Sequence, residues 1–171
     1  TSIVWEFFTV GDSTEIQMLA RQHGFDVIER PPELATADAS VQDVMLHALR
    51  TIESSGNVAP NRTQFIADAL AVIYGNVPVR PPGVIDQAIE LLEQTRCDSV
   101  RSFCPVGKWH PAWMSKLDGN MAVPLQAGSI HRRQDLEELY LHDGAALVVS
   151  RESMLRALRQ PSDPHAFFGL D

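Results

Sequence analysis

Hydrophobic residues recur along this chain with two spacings, one typical of strands and one typical of helices. Short apolar runs predict strands at residues 3–8, 25–28, 65–74, 99–106 and 145–149. Stretches with apolar residues three or four positions apart predict helices at about 14–23, 40–54, 84–95 and 152–158. Because strands alternate with helices, the pattern predicts an α/β fold with a mostly parallel sheet flanked by helices.

The stretch from Lys108 to His131 fits neither spacing. It contains Trp109, Trp113, two glycine-centred turns and Pro124, a composition that predicts hairpin and loop structure. No internal repeat or linker-like segment divides the chain. We therefore expect one domain over 1–171.

Composition narrows the possible partners. The 171 residues are 44% hydrophobic and 21% charged, which is ordinary for a globular protein with a sizeable core. A net charge of −8 argues against a nucleic-acid partner, because binding phosphates along a strand needs a basic face. No apolar run approaches the ~20 residues that cross a bilayer, and no secretory signal pattern is present. We expect a cytoplasmic protein with no membrane partner, in which Cys97 and Cys104 are thiols.

The loop from Tyr74 to Arg80 follows a predicted buried strand. Ligands of open α/β sheets bind beyond the carboxyl ends of the strands, and the Arg80 guanidinium suits a carboxylate or phosphate. The alternative is a structural turn in which Arg80 forms an internal salt bridge.

The loop 30–40 joins a strand to the start of a helix. Unpaired N–H groups at a helix start suit phosphate or base recognition. The alternative is ordinary capping of the helix by Asp38 or Ser40.

A third segment, His131-Arg132-Arg133-Gln134-Asp135-Leu136, is rich in cations. Guanidinium and amide groups suit an acidic, hydroxylated ligand. The alternative is a solvated charged face in which Glu137 and Glu138 pair with the arginines.

Several established site patterns do not occur. The six histidines are dispersed and none has zinc-ligand spacing. The chain has no nucleophile elbow, no phosphate-binding P-loop and no dinucleotide fingerprint.

Taken in chain order, these segments resemble the acylneuraminate cytidylyltransferases, the CMP-sialic acid synthetase family. R-P-P-E-L-A-T-A-D-A-S at 30–40 is similar to the family's R-P-x-E-L-A-x-D-x-A-S, and V-P-V-R at 77–80 to the end of its L-Q-P-T-S-P-L-R. The series continues with C-D-S-V at 97–100, V-G-K-W-H-P at 106–111, R-Q-D-L at 133–136, D-G-A at 143–145 and F-F-G at 167–169. The ordered set covers nearly the whole chain.

The resemblance implies a Rossmann-like nucleotide-diphospho-sugar transferase fold and a homodimer with a dimerisation arm at about 118–133. It implies transfer of CMP from CTP to a sialic-acid-like α-keto acid sugar, with release of pyrophosphate and Mg²⁺ as cofactor. By motif position, Arg30 and Ala39 would bind the nucleotide. The residues assigned to the acidic sugar are Arg80, Arg133, Gln134, Phe167 and Phe168, with Arg133 reaching across the dimer.

The chain also departs from the family. The basic nucleotide loop that precedes the first of these segments has no counterpart here, nor has the acidic metal-binding pair that follows Phe168. We therefore expect an incomplete cytidylyltransferase-like domain in which no metal ligand and no catalytic residue is identified. Leu141 and Leu147 stand where some members carry Arg and Tyr that bind the substrate, so the identity of the sugar is not determined.

Two other interpretations of function stay open. One is a non-catalytic dimeric scaffold, derived from the family, that binds a sugar or nucleotide. The other is a nucleotidyltransferase for another sugar acid.

Overall fold

The computed structural model describes residues 8–11, 13–54, 66–126, 132–160, 163 and 166–169. The chain divides into two compact units. The first unit comprises Thr1–Leu70, Arg96–Ser99 and Val149–Asp171, and the second comprises Ala71–Thr95 and Val100–Val148. The single domain over 1–171 stays a prediction.

All four predicted helices are confirmed to within two residues at either end. They are α1 (Thr14–Gln22), α2 (Val41–Ser54), α3 (Val84–Thr95) and α4 (Arg151–Arg159). Short 3₁₀ turns cover Pro32–Leu34, Gly107–Trp109, Pro111–Trp113 and Arg133–Asp135.

The described strands are β1 (Phe8–Gly11), β2 (Asp26–Glu29), β3 (Ala69–Val72), β4 (Ser99–Pro105), β5 (Ser115–Asp118), β6 (Met121–Pro124) and β7 (Tyr140–Ser150). Most of the first predicted strand, 3–8, lies outside the described residues. The predicted hairpin is confirmed as β5 and β6, which pair antiparallel across Gly119.

The expectation of a mostly parallel, Rossmann-like sheet is wrong. Among the described strands, one pair is parallel: β1 with β2, from Phe8 opposite Asp26 to Gly11 opposite Glu29. The three-stranded sheet has the order β3-β7-β4. β7 runs antiparallel to β4: the Ser150 amide donates to the Asp98 carbonyl at 2.9 Å, and the Val106 amide to the Leu139 carbonyl at 2.9 Å.

The error has a physical origin in the β4–β7 connection. Parallel neighbours need a crossover, usually an α-helix. Among the described residues, this connection holds 3₁₀ turns and the β5–β6 hairpin but no α-helix, so the chain returns in the opposite direction. Apolar runs indicate that a strand is buried but carry no information about its direction.

The core of the first unit forms where α2 meets the parallel strand pair. Ile28, Ala48 and Ile52 are buried together, with Val10 and Leu70 packed against them. Helix α1 is fixed to the same strands by a polar contact: buried Gln17 donates from Nε2 to the Gly11 carbonyl at 2.9 Å.

In the second unit the buried residues concentrate on one stretch of β7. Residues 145–148 are buried, as are Ala88 and Leu92 of α3. The preceding part of β7 is different, because Tyr140 and Leu141 are exposed. Among the described residues, no helix combines the length and apolar character needed to cross a membrane.

Candidate functional site

The seven predicted ligand-binding residues are divided between the two units. Arg30, Ala39, Phe167 and Phe168 belong to the first unit, whereas Arg80, Arg133 and Gln134 belong to the second.

The loop 30–40 is organised around the start of α2. Ser40 caps this helix: its Oγ accepts from the Asp43 amide at 3.1 Å and donates to the Asp43 carboxylate at 2.7 Å. Arg30 and Ala39 are half-buried, and the Arg30 amide donates to the Gly11 carbonyl at 3.3 Å. The capping alternative therefore accounts for Ser40, while nucleotide binding by Arg30 and Ala39 stays a prediction.

The turn 166–169 contains the two predicted sugar-binding phenylalanines. Phe167 is 3% exposed and meets Phe168 edge-on, with ring centroids 4.8 Å apart. The Ser153 hydroxyl donates to the Phe167 carbonyl at 2.7 Å, and the Ser99 hydroxyl donates to the Phe168 carbonyl at 2.7 Å. Phe167 is thus a core residue, and half-buried Phe168 is the ring with more surface for a ligand.

Gly169 closes this turn with a φ of +62°. A Cβ at this position would overlap the side chain of Asp98. That carboxylate is itself held by Arg156, whose Nη2 lies 2.5 Å from Oδ2. Two segments distant in sequence, one with Asp98 and one with Arg156, therefore meet at the turn.

In the second unit, Arg80 clamps the loop 74–80 onto β7. Its Nε donates to the Ala145 carbonyl at 3.0 Å, and its Nη2 donates to the Tyr74 carbonyl at 2.7 Å. The alternative of a structural turn therefore describes this loop. The partners of Arg80 are two backbone carbonyls, whereas a salt bridge was expected. Sugar binding by Arg80 stays a prediction.

Gly144 allows the same loop to approach β7 closely. It has a φ of +73°, in the left-handed region that favours glycine. A Cβ here would lie 3.3 Å from Val77 Cγ2 and 3.6 Å from Tyr74 Cδ2. Because Gly144 has no side chain, the loop 74–80 can occupy this space.

Beside this glycine, Asp143 and Ser102 connect β7 to β4. Asp143 Oδ1 accepts hydrogen bonds from the Ser102 hydroxyl and, at 2.9 Å, from the Ala145 amide. The hydrogen bond from Ser102 and that from Ala145 hold the pKa of Asp143 below its usual range. Asp143 is therefore an ionised carboxylate and a weak base.

His142 is held by the main chain of β4. Its Nδ1 lies 2.9 Å from the Ser102 carbonyl oxygen, and its ring is 5.8 Å from that of Phe103. This is not the geometry of a serine nucleophile. The Ser102 proton goes to Asp143, and Ser102 Oγ accepts from the Ala146 amide at 2.7 Å. His142 contacts Ser102 through the backbone carbonyl.

Arg133 and Gln134 lie exposed in the 3₁₀ turn 133–135. The neighbouring Arg132 forms an ion pair with Asp135, with Nε and Oδ2 3.6 Å apart. The charged-face alternative therefore describes Arg132, with Asp135 as its partner. Binding of a sugar carboxylate by Arg133 and Gln134 stays a prediction.

Arg101 on β4 is a cation that the sequence does not signal, since a single arginine in a strand matches no motif. Its side chain is half-buried. Burial lowers the pKa of Arg101, and the electrostatic effect of Tyr74 opposes that shift. Arg101 and Tyr74 thus add polar character to the region of Arg80 and Gly144.

No metal centre can be assembled from the described residues. They contain no group of three or more His, Cys, Asp or Glu side chains placed to hold an ion. Asp143 is already engaged by Ser102 and Ala145. The described side chains therefore do not fit a magnesium site, and Mg²⁺ stays a prediction.

The curated proteins that match this chain bear the same name. No protein-family model matches the chain. Three curated proteins named N-acylneuraminate cytidylyltransferase, from Streptococcus agalactiae serotypes V, III and Ia, are each 29% identical to it over 153 residues. Each match covers 88% of this chain and 34% of the relative, so the chain spans about a third of their length. These matches support the relationship to the acylneuraminate cytidylyltransferase family that the ordered motifs indicate.

Proposed function

We propose that this chain is part of a nucleotidyltransferase that transfers CMP from CTP to a sialic-acid-like α-keto acid sugar. The observation that carries the proposal is the 29% identity, over 88% of the chain, to three relatives that bear a cytidylyltransferase name. The ordered motifs at 30–40, 77–80, 133–136 and 167–169 support the same assignment.

In this reaction the anomeric hydroxyl of the sugar attacks the α-phosphorus of CTP. A new P–O bond forms as the bond to the bridging oxygen of pyrophosphate breaks, and pyrophosphate leaves. The barrier falls mainly through positioning and stabilisation of charge. Because the described residues do not fit a magnesium site, no step is assigned to Mg²⁺.

Exposed polar side chains would hold the acidic sugar. Arg133 offers a guanidinium fork to the carboxylate, and Gln134 offers an amide to the hydroxyls. Both lie exposed on one short turn. Arg30 and Ala39 are assigned to the nucleotide.

The assignment of Arg133 has a matched control. Arg133→Ala should weaken binding of the sugar acid about 10-fold or more, because a charge-assisted hydrogen bond is lost. Arg132→Ala removes an adjacent exposed arginine that pairs with Asp135, and should have little effect. Calorimetric titrations with sugar and with CTP measure both affinities. Equal losses for the two ligands in Arg133→Ala would reject its assignment to the sugar.

A homodimer is part of the proposal. All eight residues of β5 and β6 are exposed, including Leu117 at 80% and Met121 at 71%. Because a two-stranded hairpin is marginally stable alone in water, this hairpin, with Leu117 on one face and Met121 on the other, favours pairing with a second copy. It overlaps the predicted arm at about 118–133, of which 127–131 lie outside the described residues. Leu117→Lys with Met121→Lys should shift the sedimentation of a dimer to that of a monomer.

The direct test incubates the complete encoded protein with CTP, Mg²⁺ and a panel of α-keto acid sugars. Mass spectrometry and a pyrophosphate assay should find a CMP-sugar and pyrophosphate in equal amounts. Binding of both ligands without turnover would favour the non-catalytic scaffold. Turnover with a different sugar acid alone would favour the other transferase, and neither binding nor turnover would reject all three interpretations.

A further inference from the structure

The ring nitrogens of His142 have different roles, and the main chain determines which is which. A carbonyl oxygen only accepts hydrogen bonds, so the 2.9 Å contact with Ser102 requires the proton to be on Nδ1. In the neutral ring Nε2 then carries the lone pair. A ring fixed through Nδ1–H, with its second nitrogen basic, is the arrangement in which histidine accepts protons.

Two other described histidines are held in the opposite way. His110 Nδ1 accepts from the Ala112 amide at 3.1 Å, so its proton is on Nε2, and the side chain is buried. His47 uses Nε2 to donate to the Glu29 carbonyl at 2.9 Å. Of these three, His142 is the histidine whose neutral form presents Nε2 as a base.

His142 also lies in the part of β7 that meets the candidate loop. Two residues further along β7, Gly144 lies against Tyr74 and Val77. His142 is half-buried, and the adjacent Leu141 is 61% exposed. The imidazole therefore lies at the boundary between the buried part of β7 and its exposed end.

We propose that His142 is the general base of the transfer reaction, an inference that rests on the proposed function. Its Nε2 takes the proton of the anomeric hydroxyl as that oxygen bonds to the α-phosphorus of CTP. The bond between the α-phosphorus and the bridging oxygen breaks, and its electron pair leaves with pyrophosphate. The imidazolium then returns the proton to solvent. Each bond formed is matched by one broken, and no further reactant is needed.

The groups around the ring are suited to a proton acceptor. On β4 it meets an uncharged carbonyl and the Phe103 ring. On its own strand the ionised carboxylate of Asp143 interacts favourably with the imidazolium. From the loop after β3, the Arg80 guanidinium donates from Nε and Nη2 to the Ala145 and Tyr74 carbonyls. A carboxylate therefore interacts with the imidazole, while the Ser102 carbonyl fixes the tautomer.

The test compares His142→Gln with His47→Gln in the complete protein. Glutamine keeps a polar side chain of similar reach but cannot accept a proton at neutral pH. His142→Gln should lower kcat by about 10²–10⁴-fold, the usual contribution of a general base, with KM values for both substrates changed less than about threefold. The fall of kcat at low pH, which reports protonation of the essential base, should disappear. His47→Gln keeps a donor for the Glu29 carbonyl and should retain both kcat and the pH profile.

A second variant separates chemistry from folding. In His142→Ala, added imidazole should restore part of kcat without changing the melting temperature, which a purely structural role would not produce. The ¹⁵N chemical shifts of the His142 ring should report a proton on Nδ1. A proton on Nε2, or a His142→Gln enzyme with wild-type kcat and pH profile, would overturn the base while leaving the proposed function intact. Absence of pyrophosphate release by the wild-type protein would instead remove both.

Discussion

The turn 166–169 of the first unit and the segment 142–144 of β7 in the second are built by the same local means. Each contains a glycine with positive φ, and each is joined to neighbouring segments by serine hydroxyls that bond the main chain or a carboxylate. They differ in what they do with the side chains. The first buries Phe167 and Ser153, at 3% and 0% exposure, whereas the second leaves His142 half-buried beside an exposed strand end.

The first segment therefore anchors the chain, whereas the second positions a side chain that can react. A turn whose polar groups are all directed at the main chain contributes stability and little reactivity. A neighbouring strand that fixes one nitrogen of an imidazole and leaves the other to accept a proton supplies a reactive group at modest cost in packing. Substitution of His142 should therefore alter catalysis with a small loss in stability.

The largest expected effect on stability is at Gly169. Gly169→Ala should lower the free energy of unfolding by about 2–4 kcal/mol, because a Cβ there strains the backbone and overlaps the Asp98 side chain. Gly24 is the matched control, since it has a φ of +81° with open space around its Cβ position. Gly24→Ala should cost only about 1–2 kcal/mol. Equal losses in urea unfolding would contradict the contact with Asp98.

Ser153→Ala should be the next most damaging change. Ser153 is fully buried, and its hydroxyl serves the Phe167 carbonyl at 2.7 Å and the Ala166 carbonyl at 3.2 Å. Leaving buried carbonyls without a donor costs about 1–3 kcal/mol. Ser99→Ala, which affects one partly buried carbonyl, should cost less in the same urea titration. The reverse order would show that Ser153 does not anchor the turn.

Gly144→Ala tests the contact of the loop 74–80 with β7. We expect a loss of about 1–2 kcal/mol from the left-handed backbone and the crowding of Val77. Adding Val77→Ala should recover part of this loss, because the nearest atom to the new Cβ is a Val77 methyl. Unfolding free energies of the double-mutant cycle measure the coupling. Strict additivity would argue against the close approach.

The smallest effect is the pH dependence of Asp143. Its folded pKa is depressed below the unfolded value of about 3.8, so its stabilising contribution is present above that pH and is lost as pH falls through the folded pKa. Because the carboxylate is largely solvated, the contribution should be at most about 1 kcal/mol. The wild-type protein should be more stable than Asp143→Asn at pH 6, and the difference should shrink by pH 3. A gap that widens at low pH would contradict the assigned hydrogen bonds.

The sequence predicts the helices well because their signal is local. In α2 and α3 the apolar positions recur within each helix, and the observed bounds agree to within a residue. The direction of β7 is not encoded in such a pattern, because its antiparallel pairing depends on how the intervening turns return the chain. For the same reason, Arg80 is recognisable as a candidate from its neighbours, while its bonds to the Tyr74 and Ala145 carbonyls are not.

The polar network of the candidate site is the least predictable part. Ser102 meets Asp143 and Ala146 across forty or more intervening positions, and no motif connects them in sequence. His142 matches no spacing typical of a catalytic histidine. Its importance comes from one hydrogen bond to a backbone carbonyl, a contact that depends on strand register.

The most direct measurement of the proposed transfer follows the anomeric oxygen. A sialic-acid-like sugar labelled with ¹⁸O at that hydroxyl is incubated with CTP, Mg²⁺ and the complete protein. The masses of the products are then measured by mass spectrometry. Attack on the α-phosphorus predicts ¹⁸O in the bridge of the CMP-sugar and unlabelled pyrophosphate. A CMP-sugar without the label, or no CMP-sugar at all, would contradict it.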